Sequence, residues 1–301
     1  MRNQEFRGDW SSCLGRIGLG CATFGREIDA AAAFAVMDHA FHHGITHFDT
    51  AASYGDGASE RIVGNWIKSR SSARGSLLVA TKMKPPYRPE PVERAIAQSR
   101  QRLGIETIDL FYLHEWSEDL LDPRVLAVLD RAIHRGEIRA VGASNFSSEQ
   151  LALILQIQNE AGMVPLRLLQ NNHNLAVRNI DEKVQQLCAR EQVAIVGYSP
   201  LGAGFLTGKH RLGVQPGSRF EVVPGHQNIY FTPAVWARLA HLESIARRTE
   251  ESLPVLALAW AINQPGIACT LIGARSLNHV DQALRALTLD TRGWLDELGA
   301  I

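Results

Sequence analysis

The alternation of short apolar runs with longer amphipathic stretches constrains this chain more than any other feature. Runs with strand character fall at residues 17–20, 45–49, 77–82, 109–114, 138–144, 166–170, 193–198 and 269–272. Stretches with helical spacing occupy 30–43, 59–69, 89–103, 123–134, 147–161, 180–191, 233–249, 254–263 and 278–287. Ser59 is placed to cap the second helix, and Pro89 and Pro91 suit the first turn of the third. Each crossover helix returns the chain in the same direction, so strict alternation makes neighbouring strands parallel. Eight such units in 301 residues predict an α/β fold closed as a (β/α)8 TIM barrel. An open doubly wound sheet is the alternative. No stretch between the units has linker character, so residues 1–301 read as a single domain. Only the Gly- and Pro-containing segment 208–231 breaks the rhythm. It reads as a loop, expected to be mobile until a ligand binds.

Composition removes several classes of function. Thirty-one basic residues balance 31 acidic ones, for a formal net charge of zero. That gives no footprint for nucleic acid, polyanions or a membrane surface. The longest apolar run, 253–262, contains Pro254 and is too short to span a bilayer. Residues 1–10 lack the apolar core of a signal peptide. Cys13, Cys21, Cys188 and Cys269 form no CxxC pair and read as free, buried thiols of a reducing compartment, so a cytoplasmic location is expected. His39, His42, His43 and His47 fall at the end of the first helix and on the second strand. Such groups suit a helix C-terminus, their spacing is not that of a zinc site, and no metal is expected.

A barrel of this kind places its chemistry at the carboxyl ends of the strands. Asp49 ends the second strand, Lys82 the third and His114 the fourth; Ser144-Asn145, Gln170-Asn171-Asn172 and Tyr198-Ser199 end the next three. Gly273-Ala274-Arg275-Ser276 follows the eighth. The strand bodies before these residues are largely apolar, and packing alone does not account for a whole rim of polar ends. The loop after Asp49 presents Tyr54 among glycines, ahead of Ser59 and Glu60. A phenol titrates near 10 in water, too high for an efficient proton donor at neutral pH. A neighbouring ammonium favours phenolate and lowers that value, and a carboxylate can hold the ammonium in place. A histidine can orient a carbonyl oxygen. Asp49, Tyr54, Lys82 and His114 together therefore suit proton donation to a carbonyl. Glu115 and Trp116, directly after His114, sit where a substrate wall would stand, with a purely structural role as the alternative.

Several stretches carry a resemblance to a known family. They include Gly18-Leu19-Gly20-Cys21-Ala22-Thr23-Phe24-Gly25, Phe48-Asp49-Thr50-Ala51 with Tyr54-Gly55, and Ala80-Thr81-Lys82. Arg139 through Phe146, Tyr198-Ser199-Pro200-Leu201-Gly202, Leu206-Thr207-Gly208-Lys209 and Ile272 through Ser276 continue it. In order and at barrel spacing, the chain resembles an aldo-keto reductase over nearly its whole length. The resemblance implies an NADPH-dependent carbonyl reductase without metal. Tyr54 would then be the general acid, Lys82 and Asp49 would tune it, and His114 would orient the substrate oxygen. Ser144, Asn145 and Gln170 match residues that hold the nicotinamide carboxamide, and Tyr198 matches the aromatic that stacks on its ring. Ser199, Pro200, Leu201, Gly202 and Gly204 match the pyrophosphate segment, and Arg275 with Ser276 the 2′-phosphate site. Thr23, Asp49, Gly273 and Gln282 complete the expected cofactor set.

The chain departs from many relatives at His173, where they carry Tyr, and at His279, Gln282 and Ala283, where they carry Gln, Glu and Asn. Ala283 offers adenine no side-chain hydrogen bond. Arg275 favours NADPH, with NADH the weaker expectation. The expected substrate is a small carbonyl compound, sugar-like or aromatic, and a homo-oligomer is left open. Two rivals remain: an NADPH-binding barrel that serves as a redox sensor or auxiliary subunit, and a Schiff-base enzyme using Lys82. The intact tetrad and the lack of a long N-terminal tail argue against the first. The second requires Lys82 free of Asp49.

Overall fold

A computed structural model describes residues 10–299; the reading of the first nine residues for a leader lies outside them. Eight strands form a closed, all-parallel barrel in chain order. They are β1 (Ile17–Gly20), β2 (His47–Asp49), β3 (Leu78–Met83), β4 (Ile108–Leu113), β5 (Ile138–Ser144), β6 (Leu168–Asn172), β7 (Ala194–Tyr198) and β8 (Ile267–Gly273). Closure runs through β1 and β8, with Ile17 opposite Thr270 and Gly20 opposite Gly273. The (β/α)8 barrel is the fold that forms, and the open sheet is not.

Successive strand residues point to opposite faces, so every second residue of a barrel strand faces the interior. The inward series begins with small, aliphatic or aromatic residues: Leu78 and Ala80 on β3, Leu110 and Tyr112 on β4, Ala140 on β5, Leu168 on β6. Ala194 and Val196 on β7 and Cys269 and Leu271 on β8 complete a buried cluster, to which Trp10 and Leu14 add from outside the strands. Continuing these series in two-residue steps reaches Lys82, His114, Ser144, Gln170 and Tyr198, and Asp49 ends β2 beside them. The alternation that fills the barrel thus delivers the polar residues to one mouth. Outward residues such as Phe48, Val79, Phe111 and Val141 pack into the larger cluster under the helices. Two glycines are required by close approach. A Cβ on Gly142 would lie 2.4 Å from Cε1 of Tyr112, and one on Gly18 would lie 2.6 Å from Cδ2 of Leu271.

Two local expectations change. Helix Ala58–Ser69 starts one residue before Ser59, with Gly57 in left-handed backbone at its N-cap and no side-chain cap. Ser59 Oγ instead bonds Thr50 Oγ1 at 2.7 Å and donates to Cys21 O at 2.8 Å. The hydroxyl satisfies buried loop backbone rather than a helix end. Segment 208–231 is not a plain loop. It contains helical turns at Arg219–Val222 and Gln227–Tyr230. Its aromatics make an apolar cluster: the Phe205 ring lies 4.5 Å from Trp236 and 5.3 Å from Phe231, and Phe220 lies 5.0 Å from Phe231. Among the described residues no helix is long and apolar enough to cross a membrane. Cys21, Cys188 and Cys269 are free and buried, whereas Cys13 is exposed, correcting the expectation of four buried thiols.

Two buried histidines set an acid limit on stability. His47 is fully enclosed, 3.6 Å from Cys269 Sγ, and His173 stacks on Trp260 with centroids 5.4 Å apart. Burial lowers each imidazole to about 4, from an ordinary value of 6.5. Between those values the unfolded chain binds more protons than the folded one, so stability is lost as pH falls through 6.5 toward 4. At pH 5 each histidine is expected to remove about 2 kcal/mol relative to pH 8. Denaturant unfolding at the two pH values measures this, and His173→Gln should shrink the difference. An unchanged difference in that variant would mean His173 does not contribute.

Candidate active site

The four residues singled out at the strand ends meet at the carboxyl mouth. Lys82 is fully buried; its ammonium donates to Asp49 Oδ1 and, at 2.9 Å, to Thr50 O. The second Asp49 oxygen accepts from Gln170 Nε2 at 2.9 Å. The carboxylate is therefore held from two sides, by a charge and by an amide. Above this pair the Tyr54 ring packs edge-on against His114, centroids 5.9 Å apart, with the Lys82 nitrogen 5.2 Å from the phenol ring centre. A second layer fixes the tyrosine loop. Thr81 Oγ1 donates to the buried Glu60 at 2.6 Å, and Arg102 pairs with the same carboxylate. Together with the Ser59–Thr50 contact, these bonds tie the start of helix Ala58–Ser69 to β2 and β3.

Electrostatics corrects one expectation. Burial raises the Tyr54 phenol above its ordinary value; the Lys82 charge opposes this, and the net direction is upward, not downward. Burial also disfavours the Lys82 ammonium, but Asp49 and Tyr54 outweigh it and the amine is held in its charged form. A Schiff-base role needs a free neutral amine, and this lysine is neither free nor neutral. His114 is lowered to about 3 by burial, then by Lys82 and Lys84, so its ring is neutral at physiological pH. Its Nδ1 is buried without a partner among the described residues. The arrangement is a protonated phenol flanked by a fixed cation and a neutral imidazole, which can give a proton to an oxygen held beside them.

The tetrad opens into a cleft of about 800 Å³. Asn145 is in left-handed backbone (φ 62°), as is Ser199 (φ 56°), both unusual for residues with side chains. Asn145 Nδ2 donates to His114 O at 3.0 Å, and its Oδ1 accepts from the Tyr198 hydroxyl at 2.6 Å. The ends of β4, β5 and β7 are thereby joined into one wall. Arg275 Nη1 donates to Gly217 O at 3.1 Å, so segment 208–231 reaches the loop after β8.

The sequence model of the aldo/keto reductase family matches residues 16–294. The chain belongs to that family. As an aldo/keto reductase it is an oxidoreductase that works on carbonyl compounds with a nicotinamide cofactor. It is similar to a probable aldo-keto reductase 1 of Glycine max, 27% identical over 299 residues, covering 92% of this chain and 82% of that one. A Schizosaccharomyces pombe aldo-keto reductase, yakc, with NADP(+) in its name, is 28% identical over 291 residues, 90% of this chain and 83% of its own. An Escherichia coli protein named L-glyceraldehyde 3-phosphate reductase is 29% identical over 278 residues, 86% and 80% of the two chains.

In this aldo/keto reductase most of the expected cofactor residues line the cleft: Thr23, Asp49, Ser144, Asn145, Gln170, Tyr198, Ser199, Pro200, Leu201, Gly204, Gly273, Arg275 and Gln282. Two do not. Gly202 is buried, and a Cβ there would meet Tyr230 at 3.0 Å. Ser276 is exposed beside the cleft, with its hydroxyl 2.8 Å from His279 Nδ1. Lys82 lies beneath the cleft surface, its nitrogen 5.2 Å from the Tyr54 ring centre. Ala283 is buried against the core, so it presents no surface to a ligand, and its neighbour Gln282 does. His173 is likewise a core residue. Trp116 packs edge-on against Phe146 at 5.3 Å and does not line the cleft, which supports its structural role over a substrate wall. The expectation of no metal concerned His39, His42, His43 and His47. His39 pairs with Asp281 at 2.6 Å, and among the described residues no group of three or more His, Cys, Asp or Glu could hold a metal ion. Sequence reasoning missed Arg26, Glu27, Lys84, Lys209, Arg219 and His226, all of which line the cleft from loops or single helical turns too short to carry a periodic signal.

Proposed function

We propose that this enzyme is an NADPH-dependent reductase of small carbonyl compounds in which Tyr54 donates the proton. The observation that carries the reading is the position of Tyr54. Its phenol faces the cleft between the buried Lys82–Asp49 pair and a neutral His114. The residues present fit a dinucleotide. Ser144, Asn145 and Gln170 offer amide and hydroxyl groups for a carboxamide, Tyr198 an aromatic face, and Arg275 with Lys209 two cations toward phosphates. Held there, a dihydronicotinamide would supply the hydride. His114 positions the carbonyl oxygen, Tyr54 Oη gives it the proton, and Lys82 stabilises the phenolate left behind. Asp49 keeps the ammonium in place. The NADP(+) in the name of the yeast relative supports NADPH over NADH.

Titration with each nucleotide, followed by a panel of aldehydes and ketones, tests this reading. Tight NADPH binding with turnover supports it; binding without turnover on any carbonyl moves the assignment to the sensor reading. A guanidinium hydrogen bond to a 2′-phosphate contributes about 1.5–3 kcal/mol. Arg275→Ala should therefore weaken NADPH roughly 10- to 100-fold and leave NADH nearly unchanged. Equal weakening of both nucleotides would remove Arg275 from the 2′-phosphate site.

A further inference from the structure

The tetrad and the expected cofactor contacts leave a second group of charges in the cleft unexplained. Lys209, Arg275 and His279 act on one another, and Lys209 and Arg275 answer to the cofactor's phosphates in the reading above. Arg26, Lys84 and Arg219 lie elsewhere on the cleft wall, around the tetrad. Arg219 reaches Glu27 at 3.5 Å and acts electrostatically on both Arg26 and Tyr54. Lys84 acts on His114 and makes no ion pair among the described residues. Three cations thus face one carboxylate, since among the described residues Glu27 and Asp49 are the only acids lining the cleft and Asp49 is committed to Lys82.

Internal pairing does not account for this group. Glu27 is taken by Arg26 through two short contacts of 2.6 Å. Arg219 is left with a single longer approach to the same carboxylate, a partly exposed pair of little value to stability. The two guanidiniums act unfavourably on each other. Beside Arg219, His226 lines the cleft with Nδ1 buried and unpartnered among the described residues. A net positive wall with an unused imidazole nitrogen, next to the proton donor, is complementary to an anion.

We propose that the substrate taken beside Tyr54 is a short carbonyl compound carrying an anionic group, a phosphate monoester or a carboxylate, held by Arg26, Lys84 and Arg219. This rests on the reductase reading. Guanidiniums bind both anions bidentately, and the dianionic phosphate gains more from three cations than a carboxylate does.

Matched carbonyl pairs test the proposal, with NADPH as donor: glyceraldehyde against its 3-phosphate, and butanal against 4-oxobutanoate. The charged member of at least one pair should show kcat/KM at least ~10-fold higher, and the pair that does so separates phosphate from carboxylate. Arg219→Gln and Lys84→Gln should each cut the charged-to-neutral ratio roughly tenfold. The expected change is in KM for the carbonyl, with KM for NADPH unmoved. Equal use of charged and neutral members would overturn the proposal and leave the reductase standing. A rise in NADPH KM in Arg219→Gln, equal for all substrates, would assign Arg219 to the cofactor and also overturn it. If no carbonyl is reduced, the reductase reading itself fails. Calorimetry of glycerol 3-phosphate against glycerol on the NADPH-loaded protein then decides the anion site. Binding of the phosphate that is weakened in Arg219→Gln supports it, and no binding overturns it.

Discussion

Tyr54→Phe is expected to lower kcat for carbonyl reduction by about 10²–10⁴-fold, the usual contribution of a positioned general acid. Phenylalanine keeps the ring that packs edge-on against His114 and lies 5.2 Å from the Lys82 nitrogen. Folding and nucleotide affinity should therefore change little, and the loss should appear in kcat. The phenol is protonated at neutral pH because burial raises it and Lys82 only partly offsets that. Steady-state kinetics beside an NADPH titration separates the two quantities. Retention of more than a tenth of the rate would place the proton donor elsewhere.

Lys82→Met is expected to destabilise the fold by about 3–5 kcal/mol, because it leaves the Asp49 carboxylate buried without its counter-ion. Asp49 would keep only the Gln170 amide at 2.9 Å and lose the ammonium. That is a large fraction of the 5–15 kcal/mol typical of a folded domain. Asp49→Leu alone should be comparably costly, since it strands a buried lysine. The double variant should cost less than the two singles combined, because no unpaired charge remains. Urea unfolding of the three variants measures the coupling. Additive losses would show that the pair does not interact as the geometry indicates. Reduction should be lost in all three.

The fold was legible because its signal is periodic. Eight apolar runs separated by amphipathic stretches admit few closures, and two-residue steps along each strand carry Asp49, Lys82 and His114 to the same mouth. Residue type at the strand ends, with the tyrosine on the loop after Asp49, was then enough to name the tetrad. Direction within an element was not legible. Gln282 and Ala283 are neighbours on helix Leu277–Thr288, yet about 100° apart around its axis; the first meets the cleft and the second the core. Ser59 had the right identity for a cap and was used instead for the Thr50 and Cys21 contacts. The sign of the Tyr54 shift depended on burial, which the charge pattern does not contain. Arg26 and Lys84 sit in loops and Arg219 on a single helical turn, where isolated charges read as solvated surface until the fold brings them together. Segment 208–231 was read from its glycines and prolines, while Phe220, Tyr230 and Phe231 decide its packing.

The most direct test of hydride transfer follows the label. NADPH carrying deuterium at one or the other C4 position is incubated with the enzyme and an accepted carbonyl, and the product alcohol is analysed by mass spectrometry and NMR. The predicted result is one deuterium on the carbinol carbon, delivered from only one of the two labelled forms, with the rate collapsing in Tyr54→Phe. Product formed with no deuterium from either form, or no oxidation of NADPH with any carbonyl, would contradict the assignment.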